Sequence, residues 1–519
     1  MHWFGYHAGS SVVPTPPRRS GISRVLSEFT SRQWLTLLTV QLCTILFGIT
    51  VTSVAVILPQ MKGALAATQD QIAWVLTLNL VATAAATPLT GWLASKLGWR
   101  RLMVGSVLGF TAASVACGTA TSLETLLVFR VVQGALGAPI FPMGQAIILA
   151  RFERRHHPIA VMMWGVGGVM GPILGPTFGG LVADVLDWRW SFFMILPLGL
   201  VACIPTVLAL GDEERGTSRR FDFVGFVLVA VAIGALQLMF DRGQRQDWFE
   251  SAEIVTECVL AAGAFYLFLI HARFSPSPLF EGATFRDRNF VLGAGFALVM
   301  GMLQFTPMVL FPALLQDLRG YPESIVGYLI SMRGVGNFLS FFVVAQLTRL
   351  DARATLAAGL LIQAGAAAWM GLLDLNMTFE QVLWTNLMHG FGFGLAYTPM
   401  AVLAFSTLDS RLLTQGNAIF SLLRMLGSSL FIAVILVVFV RSAAEAYAHL
   451  GAGITIFSTD SILAWISRFG DLGDPVLHSR LGEEVRRQAA MIGYVNSFNL
   501  LALVPAIAAP AVLLFRRRA

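Results

Sequence analysis

The chain has 519 residues, of which 56% are hydrophobic and only 12% charged. A soluble domain carries about 25% charged residues, so this chain cannot clothe a water-facing surface in charge, and soluble enzymes, nucleic-acid binders and disordered scaffolds are disfavoured. The formal net charge of +6 suits contact with an anionic membrane surface better than DNA binding.

Residues 1–33 form a Pro-, Ser- and Arg-rich tail, expected to be cytoplasmic, with no removable signal peptide ahead of the first apolar run. A spanning helix needs about 20 mostly apolar residues. That rule marks fourteen segments, roughly 34–60, 72–95, 100–120, 122–150, 158–182, 190–211, 221–241, 251–272, 287–318, 323–349, 353–375, 380–407, 412–441 and 491–516. The positive-inside rule then orients the chain. With the N-terminus inside, the clusters Arg18, Arg19, Arg24, Arg32; Lys96, Arg100, Arg101; Arg151, Arg154, Arg155; and Arg516, Arg517, Arg518 all fall on the cytoplasmic side. Both termini are expected there, and 441–490 is expected as a long outer loop.

An internal repeat has an offset of about 253 residues: the turn with Lys96, Leu97 and Arg100 maps onto Arg349, Leu350 and Arg353. The expected organisation is a six-helix half (34–211), a linker with a two-helix insert (212–272), and a second six-helix half carrying the outer loop (273–519).

Four motifs carry a resemblance. GWLASKLGWRR (91–101), LLVFRVVQGALGAPIFP (126–142), GVGGVMGPILGPTFGG (165–180) and LQLMFDRGQRQDWF (236–249) occur in the order found in the fourteen-helix drug:proton antiporters of the major facilitator superfamily, EmrB type. The resemblance covers residues 34–516 and implies an all-α polytopic fold of 6 + 2 + 6 helices in a bacterial inner membrane. It implies proton-driven efflux of hydrophobic small molecules, with a periplasmic adaptor and an outer-membrane channel as partners. It also implies a conformational role for Gly91, Lys96, Gly98 and Arg100, and for Gly171, Pro172, Gly175, Pro176 and Gly179. Two departures stand out: Ser95 occupies a place where the family usually has aspartate, and Thr50 one where it often has an acid.

Each feature also has a reading from its own chemistry. Gly165, Gly168, Gly171, Gly175 and Gly179 recur every three or four residues, which predicts one face for close backbone approach; Pro172 and Pro176 predict bending. A mid-membrane arginine costs at least ~2.5–3.5 kcal/mol, so each needs a purpose: for Arg130 snorkelling or a structural hydrogen bond, or, as the family motif implies, a proton-relay or substrate role; for Arg333 and Arg424 a substrate cavity or interhelical hydrogen bonding. The core segments place no acid deep in the membrane; Asp241 and Glu257 belong to the insert. His389 is of a residue type suited to proton exchange, but a lone histidine beside Gly390, Gly392 and Gly394 is more often a packing residue. Gln145 and Asn417, with Gln41, Asn79, Gln133 and Gln304, are readable as ligand contacts or interhelical bonds. Trp74 and Trp164 are placed to line a cavity. The four cysteines lack paired spacing, so no metal, disulfide framework or cofactor is expected. GxxxxGK[ST], GxSxG and HExxH are absent, which leaves ATP-driven transport and hydrolysis without support.

The expectation is a non-enzymatic multidrug exporter acting by proton antiport on hydrophobic small molecules, with membrane lipid as its surroundings. Its rivals are an electrogenic exporter of organic anions and a non-transporting membrane scaffold or sensor. Three deep arginines without a deep acid predict a preference for weak acids and neutral compounds over permanent cations.

Overall fold

A computed structural model describes residues 28–211, 221–452 and 475–516. Among these residues every regular element is a helix. In chain order they are α1 (Ser31–Ala64), α2 (Gln69–Ala86), α3 (Leu89–Leu97), α4 (Trp99–Thr119), α5 (Leu123–Gly137), α6 (Ile140–Arg151), α7 (His157–Val185), α8 (Trp190–Phe193) and α9 (Ile195–Ala209). There follow α10 (Phe223–Arg242), α11 (Ala252–Phe274), α12 (Gly282–Arg286), α13 (Arg288–Ala313), α14 (Glu323–Met370), α15 (Phe379–Phe405), α16 (Leu413–Ala452) and α17 (Pro475–Ala511). Eleven helices are long and apolar enough to cross a membrane, or twelve when α2 and α3, bent by 58° at their break, count as one span. The chain is a multi-pass membrane protein.

Local chemistry sets where helices begin and break. Thr30 with Gln33, Thr68 with Gln71 and Thr378 with Gln381 form reciprocal capping boxes at the starts of α1, α2 and α15. Pro88 divides α2 from α3 and Pro139 divides α5 from α6, because proline brings no N–H to the preceding turn and crowds its carbonyl. Asp351 interrupts α14 with φ −154° and ψ 105°; its carboxylate accepts from the amides of Arg353 and Ala354, so the turn between two predicted segments is a capped kink. Gly98, at φ 82°, turns the chain from α3 into α4, a conformation costly for any residue with a Cβ.

The helices gather into two groups. α1–α9 pack around one another, as do α13–α17; α10 and α11 pair, and α10 is wedged between α2 and α16. In the first group α7 lies along α1. A Cβ on Gly171 would meet the Ile45 carbonyl at 3.0 Å, one on Gly175 the Ile49 carbonyl at 2.8 Å, and one on Gly179 the Ser53 Cα at 3.0 Å. The single glycine face expected on this helix divides in two. Steps of four residues carry Gly167, Gly171, Gly175 and Gly179 slowly round the α1 side, whereas steps of three turn Gly165 and Gly168 about 120° and 60° away at 3.6 residues per turn. A Cβ on Gly165 would meet Phe341 of the second group, and one on Gly168 would meet Phe141. Pro176 falls within α7, which continues to Val185.

Within the segment 441–490, expected as an outer loop, the described residues are helical. α16 runs on to Ala452 and α17 begins at Pro475, at ~60 Å and ~55 Å long against a hydrocarbon core of ~30 Å. Both helices therefore project beyond the membrane. Residues such as Ala443, Ala444, Glu445, Arg486 and Arg487 are strong helix formers, and the charged ones among them end the apolar stretch without ending the helix. The apolar residues Ile462, Leu463, Trp465 and Ile466 lie outside the described residues, as do the tail 1–27, the linker 212–220 and Arg517 and Arg518.

Candidate transport site

A small cavity of about 30 Å³ lies where the two groups face each other. Phe141 of α6 and Trp164, Gly165 and Gly168 of α7 form one wall; Gln304, Asn337, Phe341, Phe393, Gly394, Tyr397, Thr398 and Arg424 form the other. The aromatic rings are in register: Phe141 and Trp164 have centroids 4.8 Å apart, Trp164 and Tyr397 6.2 Å, Phe393 and Tyr397 5.8 Å. Small residues make this wall possible. A Cβ on Gly390 would overlap the Arg333 carbonyl, and one on Gly394 would overlap Ser340 and Asn337 side-chain oxygens, so α14 and α15 meet backbone to backbone.

Arg424 is the charged residue of the cavity. Its Nη1 donates to Gln304 Oε1 at 2.8 Å, its guanidinium lies 4.7 Å from the centroid of Phe141, and its Nε has no partner. The Trp164 Nε1–H and the Tyr397 hydroxyl, both buried, have no partner either. An apolar box with a cation and two free polar groups orients an amphipathic ligand by its polar end.

Arg333 does not line the cavity but continues the line of its second wall. On α14 it stands four residues before Asn337 and eight before Phe341, both lining the cavity, so it lies on their stripe one and two turns further along. Its Nη2 donates to the carbonyl of Leu303, and its Nη1 is buried without a partner. The residue following Leu303 is Gln304, so both arginines are tied to adjacent positions of α13. His389, fully buried with neither ring nitrogen bonded, precedes Phe393 and Tyr397 by one and two turns on α15.

The other predicted residues lie elsewhere. Arg130 of α5 donates from Nε to the Val75 carbonyl at 2.9 Å and from Nη1 to Gln133 Oε1 at 2.5 Å; Gln133 donates to Ser114, and Asn79 donates to the Arg130 carbonyl. That knot ties α2, α4 and α5 together inside the first group. Gln145 and Asn417 are fully buried on α6 and α16, which pack on each other; the Gln145 amide has no partner, while Asn417 donates to the Leu413 carbonyl. Trp74 lines a separate crevice with Thr77, Arg242, Arg245 and Gln246. There Arg242 lies 4.6 Å from the Trp74 centroid and 3.7 Å from Glu257, and Thr77 donates to Asp241. Arg245 also lies 3.3 Å from Asp241, so these two acids of the insert each stand beside an arginine.

The turn 91–101 joins the groups. A Cβ on Gly91 would sit 3.3 Å from the Gln415 Cα at the start of α16. Lys96 lies 4.7 Å from the Trp92 centroid, and Ser95 donates to the Trp92 carbonyl. At the same end Arg154 donates to the Ser406 carbonyl at 3.1 Å and Arg349 to the Arg155 carbonyl at 3.4 Å. Sequence reasoning missed Asn337, Phe341, Phe393 and Tyr397. Their signal was present as the i, i+4 ladder running from each deep polar residue, Arg333 and His389.

Two helical groups closing on a central, amphipathic cavity define a secondary membrane transporter, and the sequence agrees. Residues 40–432 match the Major Facilitator Superfamily, and the chain belongs to it. It is 32% identical over 384 residues to the multidrug export protein EmrB of Escherichia coli (strain K12), covering 73% of this chain and 75% of that one. It is 30% identical over 472 residues to the fatty acid resistance protein FarB of Neisseria gonorrhoeae, covering 88% and 92%. The chain is therefore an EmrB-type multidrug efflux transporter and not an enzyme. Two solved structures share the fold, each with a TM-score of 0.56: the human organic anion transporter MFSD10, at 14% identity and covering 91% of this chain and 99% of that one, and the proton:xylose symporter XylE, at 13%, 92% and 95%.

Proposed function

We propose that this protein exports hydrophobic compounds across a bacterial inner membrane, taking neutral molecules and the anions of weak acids in preference to permanent cations. The observation that carries this reading is Arg424: a buried guanidinium, held by a neutral glutamine, on the wall of an aromatic cavity. A lipophilic cation would enter beside like charge in a medium of low dielectric. A carboxylate would gain a two-pronged, charge-assisted partner. FarB, whose name records fatty acid resistance, points the same way.

Proton antiport drives the export in this reading. A second drive is favoured by one observation: the carboxylate of Asp241 is tied to Thr77 of α2 and to Arg245, that of Glu257 to Arg242, and neither lines the cavity. An anion leaving a negative interior gains ~2.3 kcal/mol per charge per 100 mV without any proton. Efflux of matched anionic, neutral and cationic probes from proteoliposomes, with internal pH recorded, separates the possibilities. Proton antiport expects a substrate-linked pH change; potential-driven export expects none. Permanent cations as the best substrates would overturn the reading of Arg424.

The topology in this proposal has fourteen spans. α7, at 29 residues, adds one, and dividing α14 at Asp351 adds another to the twelve counted with the bent pair. The halves are 34–211 and 273–519, with the insert between them, and both termini are cytoplasmic. Activity of an external reporter fused at 519 would overturn this. The projecting ends of α16 and α17 stand on the outer face and dock a periplasmic adaptor, which hands substrate to an outer-membrane channel. Shortening 445–485 is expected to abolish adaptor co-purification while vesicle transport persists; unchanged co-purification would remove the docking role.

A further inference from the structure

A proline, an arginine and a carbonyl in the second helical group form an arrangement that the cavity alone does not explain. Pro307 lies inside α13. In an α-helix the amide of residue 307 would bond the carbonyl of residue 303, and proline has no such amide. The Leu303 carbonyl therefore lacks its helical donor within the membrane, where an unsatisfied group is costly. Arg333 supplies the donor through Nη2. Its second terminal nitrogen, Nη1, is left buried with no partner on a side chain only 8% exposed. The surrounding side chains give it no anion: His389 has two unbonded ring nitrogens, and the Asn337 amide oxygen is also unbonded. A buried guanidinium with one nitrogen parked on a carbonyl and another free can accept a carboxylate without first breaking an ion pair.

Its position gives this capacity a use. Arg424 is tied to Gln304 and Arg333 to Leu303, so the two guanidinium groups hang from consecutive residues of α13. Arg333 stands one turn, ~5.4 Å, from the cavity-lining Asn337, on the side away from the Arg154–Ser406 closure. We propose that Arg333 is a second anion subsite, to which the carboxylate of an amphipathic substrate passes from Arg424 on its way out, with the Leu303 carbonyl as the resting dock of the empty site. The inference rests on the proposed export of weak-acid anions. Conduction through a site needs binding strong enough to enter and weak enough to leave, and the dock supplies the second requirement: Leu303 competes with the departing anion for Arg333.

The test uses the full chain in proteoliposomes, with a fluorescent long-chain carboxylate and its methyl ester as probes. Arg333→Gln is expected to lower carboxylate efflux about tenfold and leave ester efflux within about twofold, with carboxylate binding at Arg424 retained. Pro307→Ala restores an amide to the Leu303 carbonyl and evicts Arg333 from its dock. The carboxylate should then bind more tightly and leave more slowly, with ester efflux unchanged. In the double variant Pro307→Ala should add nothing to Arg333→Gln. If Arg333→Gln does not fold, Arg333→Lys is used in its place, because an ammonium cannot hold dock and carboxylate in the planar fork of a guanidinium; the same split between probes is expected. Equal losses for both probes, or unchanged carboxylate efflux, would overturn the second subsite. A wild-type protein that moves the ester but not the carboxylate would instead remove the underlying reading of the substrate class, and the subsite with it.

Discussion

Arg424 and Arg130 are both buried arginines, and their surroundings separate their roles. Arg424 keeps an unbonded Nε and an aromatic neighbour at the cavity wall, whereas Arg130 spends its donors on Val75 and Gln133. Arg424→Lys should therefore keep the charge but lose the planar fork that a carboxylate engages. Carboxylate efflux is expected to fall about tenfold, ~1.4 kcal/mol, while efflux of the methyl ester changes little; equal transport of the carboxylate would show that charge alone suffices. Arg130→Met should instead remove two buried, charge-assisted hydrogen bonds, to the Val75 carbonyl and to Gln133 Oε1, at ~1.5–3 kcal/mol each. The measurement is a lowered melting temperature of the purified protein, with probe affinity of the folded fraction unchanged. Sequence marked both residues by the cost of an arginine at membrane depth. It did not separate them, because which way a side chain faces depends on the rotation of its helix against neighbours far away in the chain. The consequence of Pro307 was not legible in the sequence, because it needs Arg333, on another helix, to be brought to Leu303.

Helices were legible as elements because hydropathy reports their length; the Thr-x-x-Gln caps and Gly98 that set some of their ends came from the structure. The glycine-rich α7 shows where such reading stops. Spacing by three and by four both look like one face, yet only the four-residue series stays on α1. Gly175→Val is expected to force α1 and α7 apart, since its Cβ would strike Thr52 and the Ile49 carbonyl. Overpacking of this kind costs ~1–3 kcal/mol, read as loss of the monodisperse protein on heating. Gly263→Val on α11, where a Cβ meets nothing within 4 Å, is the control and should be close to neutral. The ends of α16 and α17 were misread for a related reason. Hydropathy sees the membrane boundary but not a helix that continues through it into water, where the same backbone bonds persist with polar side chains outside.

At the scale of the whole molecule, transport requires the two groups to separate at the end where they now touch. Gly91 against Gln415, Arg154 on Ser406 and Arg349 on Arg155 hold that end closed. These are a glycine contact and single hydrogen bonds to carbonyls, exposed enough for water to replace each partner, so opening forfeits little. A covalent bond there should not be forgiven. A Cβ placed on Gly91 lies 3.4 Å from the Gln415 Cβ, close to the 3.5–4.5 Å separation of disulfide-bonded pairs. Gly91→Cys with Gln415→Cys, in a chain whose native Cys43, Cys117, Cys203 and Cys258 are replaced, is expected to form a disulfide on mild oxidation. The oxidised protein should still bind probe in detergent but carry none across a vesicle membrane, and reduction should restore transport to the level of the unoxidised double variant. If the cross-linked protein turns over at full rate, this end does not open during transport, and the path between the two groups must be sought along another face of the bundle.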